Sequence, residues 1–338
     1  MKHNTAVIDL SNIIFANYHT SKGYMEDRPV EHHTTDIIIT TLRSISVAVE
    51  ATKASIVICA TDAGGKPEYR KTISGESYKA GRSETPDAIR GVFRVVTGVL
   101  ANYGIVPLTV KGYEADDIFA QLAVYYTQKG LGTITGVSRD NDWTLPVARC
   151  RGNVALYNQK TKRTLHYHDI QGTTEDYLGR ELSSDQVFDA YVLRKAILGD
   201  SSDNIAGFHG IGRKTATDLV KYILLRQQDP EMFDSSSFGN KMKALMSKYA
   251  TFQGTLKKNL SLIDPYFCLE QQPVIDALEA TTTKSEAVPV EDILDQLQTA
   301  NLSKALSRFS KMRTRYSLIE AGPEAVSRMP PQMQDLLK

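Results

Sequence analysis

Three short apolar, β-branched runs in this chain end at aspartates. Val7-Ile8 leads into Asp9, Ser55 to Ala60 into Asp62, and Ile134 to Val137 into Asp140 and Asp142. A fourth acidic group, Glu114-Ala115-Asp116-Asp117, follows the run Ile105 to Val110 by a few residues. Strand-length runs alternating with helical segments predict a mostly parallel α/β sheet covered on both faces. In such a sheet ligands bind beyond the carboxyl ends of the strands. The carboxylates of all four ends would meet in that crevice. Concentrated negative charge repels itself unless cations neutralise it, so the pattern points to a divalent-metal site.

The alternation runs through the first half. A helix is expected over about 34–50, another from Pro86 to about Tyr103 with proline at its start, and a third from Glu114 to Gln128. The second half reads as mainly helical. Ser183 to Gln186 forms an N-cap region before Val187 to Leu198. Gly199 to Gly212 reads as a loop with a hairpin, and Arg213 to Arg226 as a helix. Gln271 to Val288 reads as a flexible connection, and Asp292 to Met312 as terminal helices with a basic end. A length of 338 residues allows two domains. The three cysteines are far apart and suggest neither a disulfide framework nor zinc. His32, His33, His166 and His168 also lack zinc-site spacing. The chain starts straight into a strand, without a signal peptide, and has no apolar run of membrane-spanning length. A reducing, cytoplasmic compartment is the expectation. A net charge of +1 decides nothing about nucleic acid, because acids in a pocket cancel basic residues on its rim.

Leu198-Gly199-Asp200-Ser201-Ser202-Asp203-Asn204 adds two more acids three residues apart in a Gly/Ser turn. Mg²⁺ takes hard oxygen ligands and keeps several waters, so a few carboxylates per ion suffice. Eight carboxylates suit two ions roughly 3.5–4 Å apart, which can activate a water and stabilise an in-line displacement at phosphorus. The acids at 114–117 alone would read as the ordinary charge preference of a helix N-terminus. Phe208 to Ala216 (FHGIGRKTA) is a near miss for a P-loop, because Arg213 separates the last glycine from Lys214. It reads better as a helix-hairpin-helix turn. There the backbone N–H groups near Gly210 and Gly212, with Arg213 and Lys214, approach a phosphate. The segment Ala63 to Thr85 carries Lys66, Arg70, Lys71, Lys79 and Arg82 interleaved with Tyr69 and Tyr78. Charge and aromatic rings together suit single-stranded nucleic acid; a solvated surface loop is the plainer alternative. Trp143 and Cys59 read as core residues.

The set Ile8 to Asn12, Tyr113 to Asp117, Ser138 to Trp143, Leu198 to Asn204 and Gly210 to Gly212 resembles the 5′-nuclease (flap endonuclease) family over about residues 5–225. Lys258 to Asp264 and Leu302 to Leu306 resemble the stand-alone phage ribonuclease H branch of that family. The resemblance implies a PIN-like α/β core over 1–180 with a helical arch at about 63–85. It implies a helical DNA-binding region over 181–338 with a helix-hairpin-helix at about 199–226. By motif position Asp9, Asp62, Glu114 and Asp116 surround one Mg²⁺ ion, and Asp140, Asp142, Asp200 and Asp203 the other, with Mn²⁺ as a substitute. Asp117 orients ligands or waters without touching an ion. Lys79 and Arg82 match the arch cations that contact the scissile phosphate, and Arg70, Lys71, Gly210, Gly212, Arg213 and Lys214 are DNA-binding. Two departures from the family pattern are Asn141, where glycine is usual, and Arg139, where a small or neutral residue is commoner.

The implied activity is metal-dependent 5′→3′ exonuclease and flap endonuclease action on 5′ flaps, nicked duplexes and RNA–DNA hybrids. Primer and flap removal in lagging-strand replication, a bacteriophage origin, a monomeric state and a single-stranded-DNA-binding protein as partner belong to the same expectation. A non-catalytic DNA-binding module and a PIN-type ribonuclease are the alternatives. The former would be expected to lose acidic ligands, and the latter to be shorter and lack the hairpin.

Overall fold

The computed structural model describes residues 3–22, 30–64, 67–80, 85–102, 105–249, 251–266 and 270–283. Its centre is a six-stranded sheet. The strands are β1 (His3–Asp9), β2 (Ile56–Thr61), β3 (Val106–Thr109), β4 (Gly132–Ser138), β5 (Val154–Asn158) and β6 (Arg163–His166). Their spatial order is β3-β2-β1-β4-β5-β6. All pairs are parallel except β5 with β6. The order runs outward from β1 to β3, then jumps back so that β4 joins the other side of β1. The switch point therefore lies between β1 and β4, where an open α/β sheet forms its ligand crevice.

Helices cover both faces. Between β1 and β3 lie α1 (Leu10–Lys22), α2 (Val30–Thr52), α3 (Glu68–Ser74) and α4 (Asp87–Asn102). Side chains alternate along a strand. Ala6 and Ile8 of β1, with Val57 and Cys59 of β2, therefore join α1, α2 and α4 in one core. Val7, Ile58 and Ala60 point the other way, to a second core with α5 (Ala115–Lys129) and α6 (Thr144–Cys150). That core continues into α7 (Tyr167–Leu178), α8 (Ser184–Leu198) and the hairpin of β7 (Gly199–Asp200) and β8 (Ile205–Ala206). It extends through α9 (Arg213–Gln228), α10 (Pro230–Ser235), α11 (Ser237–Met246), α12 (Phe252–Ile263) and α13 (Gln272–Thr283). Trp143 is a core residue as expected: it is buried and stacks on Phe119 with ring centroids 4.8 Å apart. Gly136 makes room for that stack, since a Cβ there would sit 2.7 Å from the Phe119 ring and 2.8 Å from Trp143.

The segment expected as a flexible connection after Gln271 instead begins with α13. Val274, Ile275 and Leu278 give it a buried face, and Gln271 Nε2 donates to Gln121 O at 3.1 Å. Its Thr-rich polar end conceals that apolar spacing. Helix α1 follows β1 with no turn residue between them, so no punctuation marks its start. The expected helices over 292–312 lie outside the described residues. No described helix is long and apolar enough to cross a membrane.

Candidate active site

The β1 register places Asp9 opposite Ala60 and Ile8 opposite Val137. Asp9 thus stands at the mouth of the switch-point crevice. Its carboxylate accepts from the Ser138 hydroxyl at 2.7 Å and from Asn12 N at 3.0 Å. Burial pushes its pKa up to about 8, helped by the neighbouring charges of Asp62 and Asp140 and opposed by those two hydrogen bonds.

On one side of Asp9 is the N-terminus of α5. Asp62 Oδ1 accepts from Ala115 N at 2.9 Å. Glu114 is the N-cap, and Asp117 Oδ2 accepts from Glu114 N at 2.9 Å in a capping box. The helix dipole favours acids at this end. Oxygens of Glu114, Asp116 and Asp117 lie within 4.8 Å of one another. Three cationic or phenolic groups meet them. Arg70 bonds Glu114 Oε2, and its Nη2 reaches Asp117 Oδ1 at 2.9 Å. Lys79 Nζ bonds Glu114 Oε1 at 2.7 Å and lies 3.8 Å from Asp203 Oδ1. The Tyr78 hydroxyl bridges Glu114 Oε2 and Asp203 Oδ2, at 2.9 and 3.1 Å. Burial works against the charge of Arg70, but Asp117 and Glu114 outweigh it and hold the guanidinium protonated.

On the other side are Asp140, Asp142 and Asp200. Asp140 Oδ1 accepts from Asp142 N at 3.0 Å, capping the short turn that carries Trp143. Lys195 of α8 bonds Asp142 Oδ1 and lies 3.0 Å from Asp200 Oδ2. Burial raises Asp142 to about 6, with Asp140 adding to the shift and Lys195 opposing it. Burial would also raise Asp200, but the Ser202 hydroxyl and Lys195 bring it down to about 2. The charges of Asp116 and Asp203 act on Asp140, so the two acidic groups adjoin.

The carboxylates expected as ligands adjoin one another, but Asp203 shares Tyr78 and Lys79 with Glu114 rather than standing with Asp142 and Asp200, and among the described residues only Glu114, Asp116 and Asp117 bring three oxygens within 4.8 Å. The donor set is carboxylate oxygen, which suits a divalent cation. Repulsion and burial raise Asp9, Asp140 and Asp142, as expected of acids arranged for a cation. The residues fit the ion.

Several expectations need correction. Arg70 was expected at DNA; it is 2% exposed and clamped between Glu114 and Asp117, so it supports the acids from beneath. Tyr78 was expected as a stacking ring; it is 1% exposed and spends its hydroxyl on Glu114 and Asp203. The segment 63–85 is not simply a solvated loop, because it contains α3 and this buried Arg–Tyr pair. Basic and aromatic composition could not distinguish a surface stripe from one folded inward against acids. Arg82 lies outside the described residues. Lys71 is half-exposed, 3.8 Å from Glu68. Gly210 has φ +78°, and Gly212 caps α9, whose first two residues, Arg213 and Lys214, are exposed. Two residues were missed. Lys195 lies five before Asp200 on a helix, a spacing with no motif of its own. Asn259 is buried and donates from Nδ2 to Ala196 O at 2.8 Å and Ala206 O at 2.9 Å. It ties α12 to both sides of the Asp200–Asp203 hairpin.

The family model of the 5′-3′ exonuclease N-terminal resolvase-like domain matches residues 4–177. The chain belongs to the 5′-3′ exonuclease family. Among the relatives of this chain, DNA polymerase I of Chloroflexus aurantiacus is 37% identical over 156 residues, covering 45% of this chain and 15% of that protein. The 5′-3′ exonuclease of Bacillus subtilis is 31% identical over 186 residues, 53% of this chain and 56% of that one. The chain therefore spans a small part of the first relative and about half of the second. The fold matches that of bacteriophage T5 flap endonuclease in a pseudo-enzyme–product complex with DNA and metal ions. That match has a TM-score of 0.54 and 22% identity, and covers 90% of this chain and 99% of the other. The T5 5′-exonuclease with bound zinc gives a TM-score of 0.52 at 21% identity, covering 89% and 99%.

Proposed function

We propose that this protein is a metal-dependent 5′→3′ exonuclease and flap endonuclease acting on 5′ flaps, nicked duplexes and RNA–DNA hybrids. The observation that supports the reading is the gathering of carboxylates from the ends of β1, β2 and β4, the start of α5 and the β7–β8 hairpin near the β1/β4 switch point. Asp9, Asp62, Glu114 and Asp116 would hold one Mg²⁺, and Asp140, Asp142, Asp200 and Asp203 the other. When bound, the ions would supply an activated water and stabilise charge on the phosphoryl group. The chain's own residues set the frame. Arg70 and the capping box fix Glu114 and Asp117, and Asn259 holds the hairpin that presents Asp200 and Asp203. Lys79 has φ +53°, a left-handed conformation uncommon for lysine, and its backbone N–H donates to Asp203 O at 3.0 Å. That geometry holds its ammonium over the acids, where it would meet the scissile phosphate, the contact the family resemblance also implies for Arg82.

The grip on duplex would come from α8, the β7–β8 hairpin and α9. No side chain caps α9, and its first turn carries Arg213 and Lys214 rather than acids. Positive charge at a helix N-terminus opposes the dipole, so this arrangement favours a bound anion. The RNA–DNA activity and phage origin follow from the resemblance at Lys258 to Asp264 and Leu302 to Leu306, the latter outside the described residues. DNA polymerase I relatives accord with a role in replication, where a single-stranded-DNA-binding protein is the expected partner of the monomer. The test is cleavage of a 5′-flap substrate and an RNA–DNA hybrid with and without Mg²⁺. Asp116→Asn and Asp200→Asn should each cut turnover by 100-fold or more, on the order of the loss of a charge-stabilising group, while DNA binding survives. Near wild-type cleavage by either variant would sink the assignment.

A further inference from the structure

Beside the second acidic group lies a cavity of about 470 Å³, within the roughly 300–1,000 Å³ range of small-ligand sites. Asn141, Asp169, Tyr177, Tyr191, Arg194 and Lys195 are among its lining residues. Lys195 connects it directly to Asp142 and Asp200. Arg194 differs from the other cations of this region. Its guanidinium lies over the Tyr177 ring, 5.0 Å from the centroid. Its Nε is buried with no hydrogen-bond partner, and no carboxylate among the described residues forms an ion pair with it. Asp169, the one acid lining the cavity, is engaged with His166 N at 2.8 Å and with His168. A partly buried guanidinium without an acid calls for an anion, because its charge is costly to bury unpaired. Its planar fork matches a phosphate. Tyr177 and Tyr191 supply aromatic surface beside it, which suits a nucleobase or sugar.

We propose that this cavity receives the 5′-phosphorylated terminal nucleotide of a strand being degraded, with Arg194 pairing its phosphate. The inference rests on the nuclease reading above and gives its exonucleolytic mode a place for the strand end. In each cut, water adds to the scissile phosphorus, the P–O3′ bond breaks, and the departing 3′ oxygen takes a proton. The shortened strand keeps the new 5′-phosphate. The next nucleotide released therefore carries the phosphate left by the previous cut, and a site next to the acids would hold it before and after cleavage.

The experiment compares exonucleolytic rates at nicks bearing a 5′-phosphate or a 5′-hydroxyl. A ratio of rates is insensitive to the fraction of folded protein. Wild-type protein should favour the phosphate by about tenfold, the scale of one charge-assisted hydrogen bond. The ratio should fall towards one in Arg194→Gln and in Thr173→Tyr, which fills the rim without removing the charge. Binding of deoxyadenosine 5′-monophosphate in EDTA, followed by NMR, tests the cavity with no cleavage at all. It should saturate with wild-type protein and weaken about tenfold in Arg194→Gln. Equal binding by the two proteins, or a phosphate preference that survives either substitution, would overturn the proposal. Flap cleavage in Mg²⁺ by the wild-type protein reports separately on the nuclease reading.

Discussion

Lys195 Nζ stands 3.0 Å from Asp200 Oδ2 while bonding Asp142 Oδ1, so one ammonium joins the turn after β4 to the hairpin after α8. Those two acids come from segments 58 residues apart, and without a cation between them they would repel. On the proposed reading, lysine and metal would compete for the same oxygens. Lys195→Gln is expected to lower the melting temperature in EDTA by several degrees, corresponding to about 1–3 kcal/mol for a partly buried pair. The gain in melting temperature on adding Mg²⁺ should be larger in the variant than in wild type. Thermal scans at matched ionic strength decide it, and an unchanged metal increment would remove Lys195 from the role of placeholder.

The position of Lys195 shows where the sequence stopped being informative. Asp9, Asp62, Asp140 and Asp142 could be read as neighbours because they follow β1, β2 and β4 and the parallel topology collects those ends. The cations could not be read that way. Arg70 and Tyr78 lie in a stretch whose composition matches a nucleic-acid-binding loop, yet α3 turns them inward, and only packing against α5 determines that. Asn259 is one of several polar residues in an amphipathic helix, and its two acceptors lie 63 and 53 residues away.

Arg70 offers the sharpest stability test. It is 2% exposed, and its removal leaves Glu114 and Asp117 buried without their counter-charge. Breaking a buried pair from one side typically costs about 3–5 kcal/mol. Arg70→Met should show that loss in urea denaturation in EDTA, and Mg²⁺ should recover part of it. A loss below about 1 kcal/mol would mean that the guanidinium is not neutralising these acids.

The pH dependence of the metal-free protein follows from Asp9. Its folded pKa, about 8, lies above its unfolded value near 4. The folded state therefore binds more protons than the unfolded state across that window, and stability falls as pH rises from about 4 to 8. Asp200 acts oppositely: lowered to about 2, it stabilises above pH 4 and loses that contribution as pH falls towards 2. Asp9→Asn should therefore gain on the order of 4 kcal/mol over wild type at pH 8 relative to pH 5 in EDTA. A variant whose stability runs parallel to wild type over that range would show that Asp9 is already ionised in the folded protein.

Asn259 should couple the helical region to the acids. Its amide satisfies two backbone carbonyls at the base of the Asp200–Asp203 hairpin, and each buried acceptor left unpaired costs about 1–3 kcal/mol. Asn259→Leu should lower stability by that scale. It should also raise the Mg²⁺ concentration needed for half-maximal cleavage, which a purely global loss of stability would leave unchanged at low temperature. Mg²⁺ titration of flap cleavage well below the melting transition separates the two.

The last expectation separates grip from chemistry. Arg213 and Lys214 are exposed at the uncapped start of α9, beside the Gly210 turn, on an element distinct from every proposed metal ligand. Contacts from such residues go to phosphates and carry little sequence information. They also release counterions, so binding weakens as salt rises. Replacing both by alanine should weaken binding to duplex-bearing substrates and flatten the salt slope by about 1–2. Cleavage of a pure single strand should suffer much less, because it has no duplex to seat on this turn. The measurement is affinity for a flap substrate and a single strand across a salt series, with cleavage rates at saturating substrate. An equal loss on both substrates would assign these residues to folding or to the acidic crevice, and the duplex grip would have to be sought on another surface.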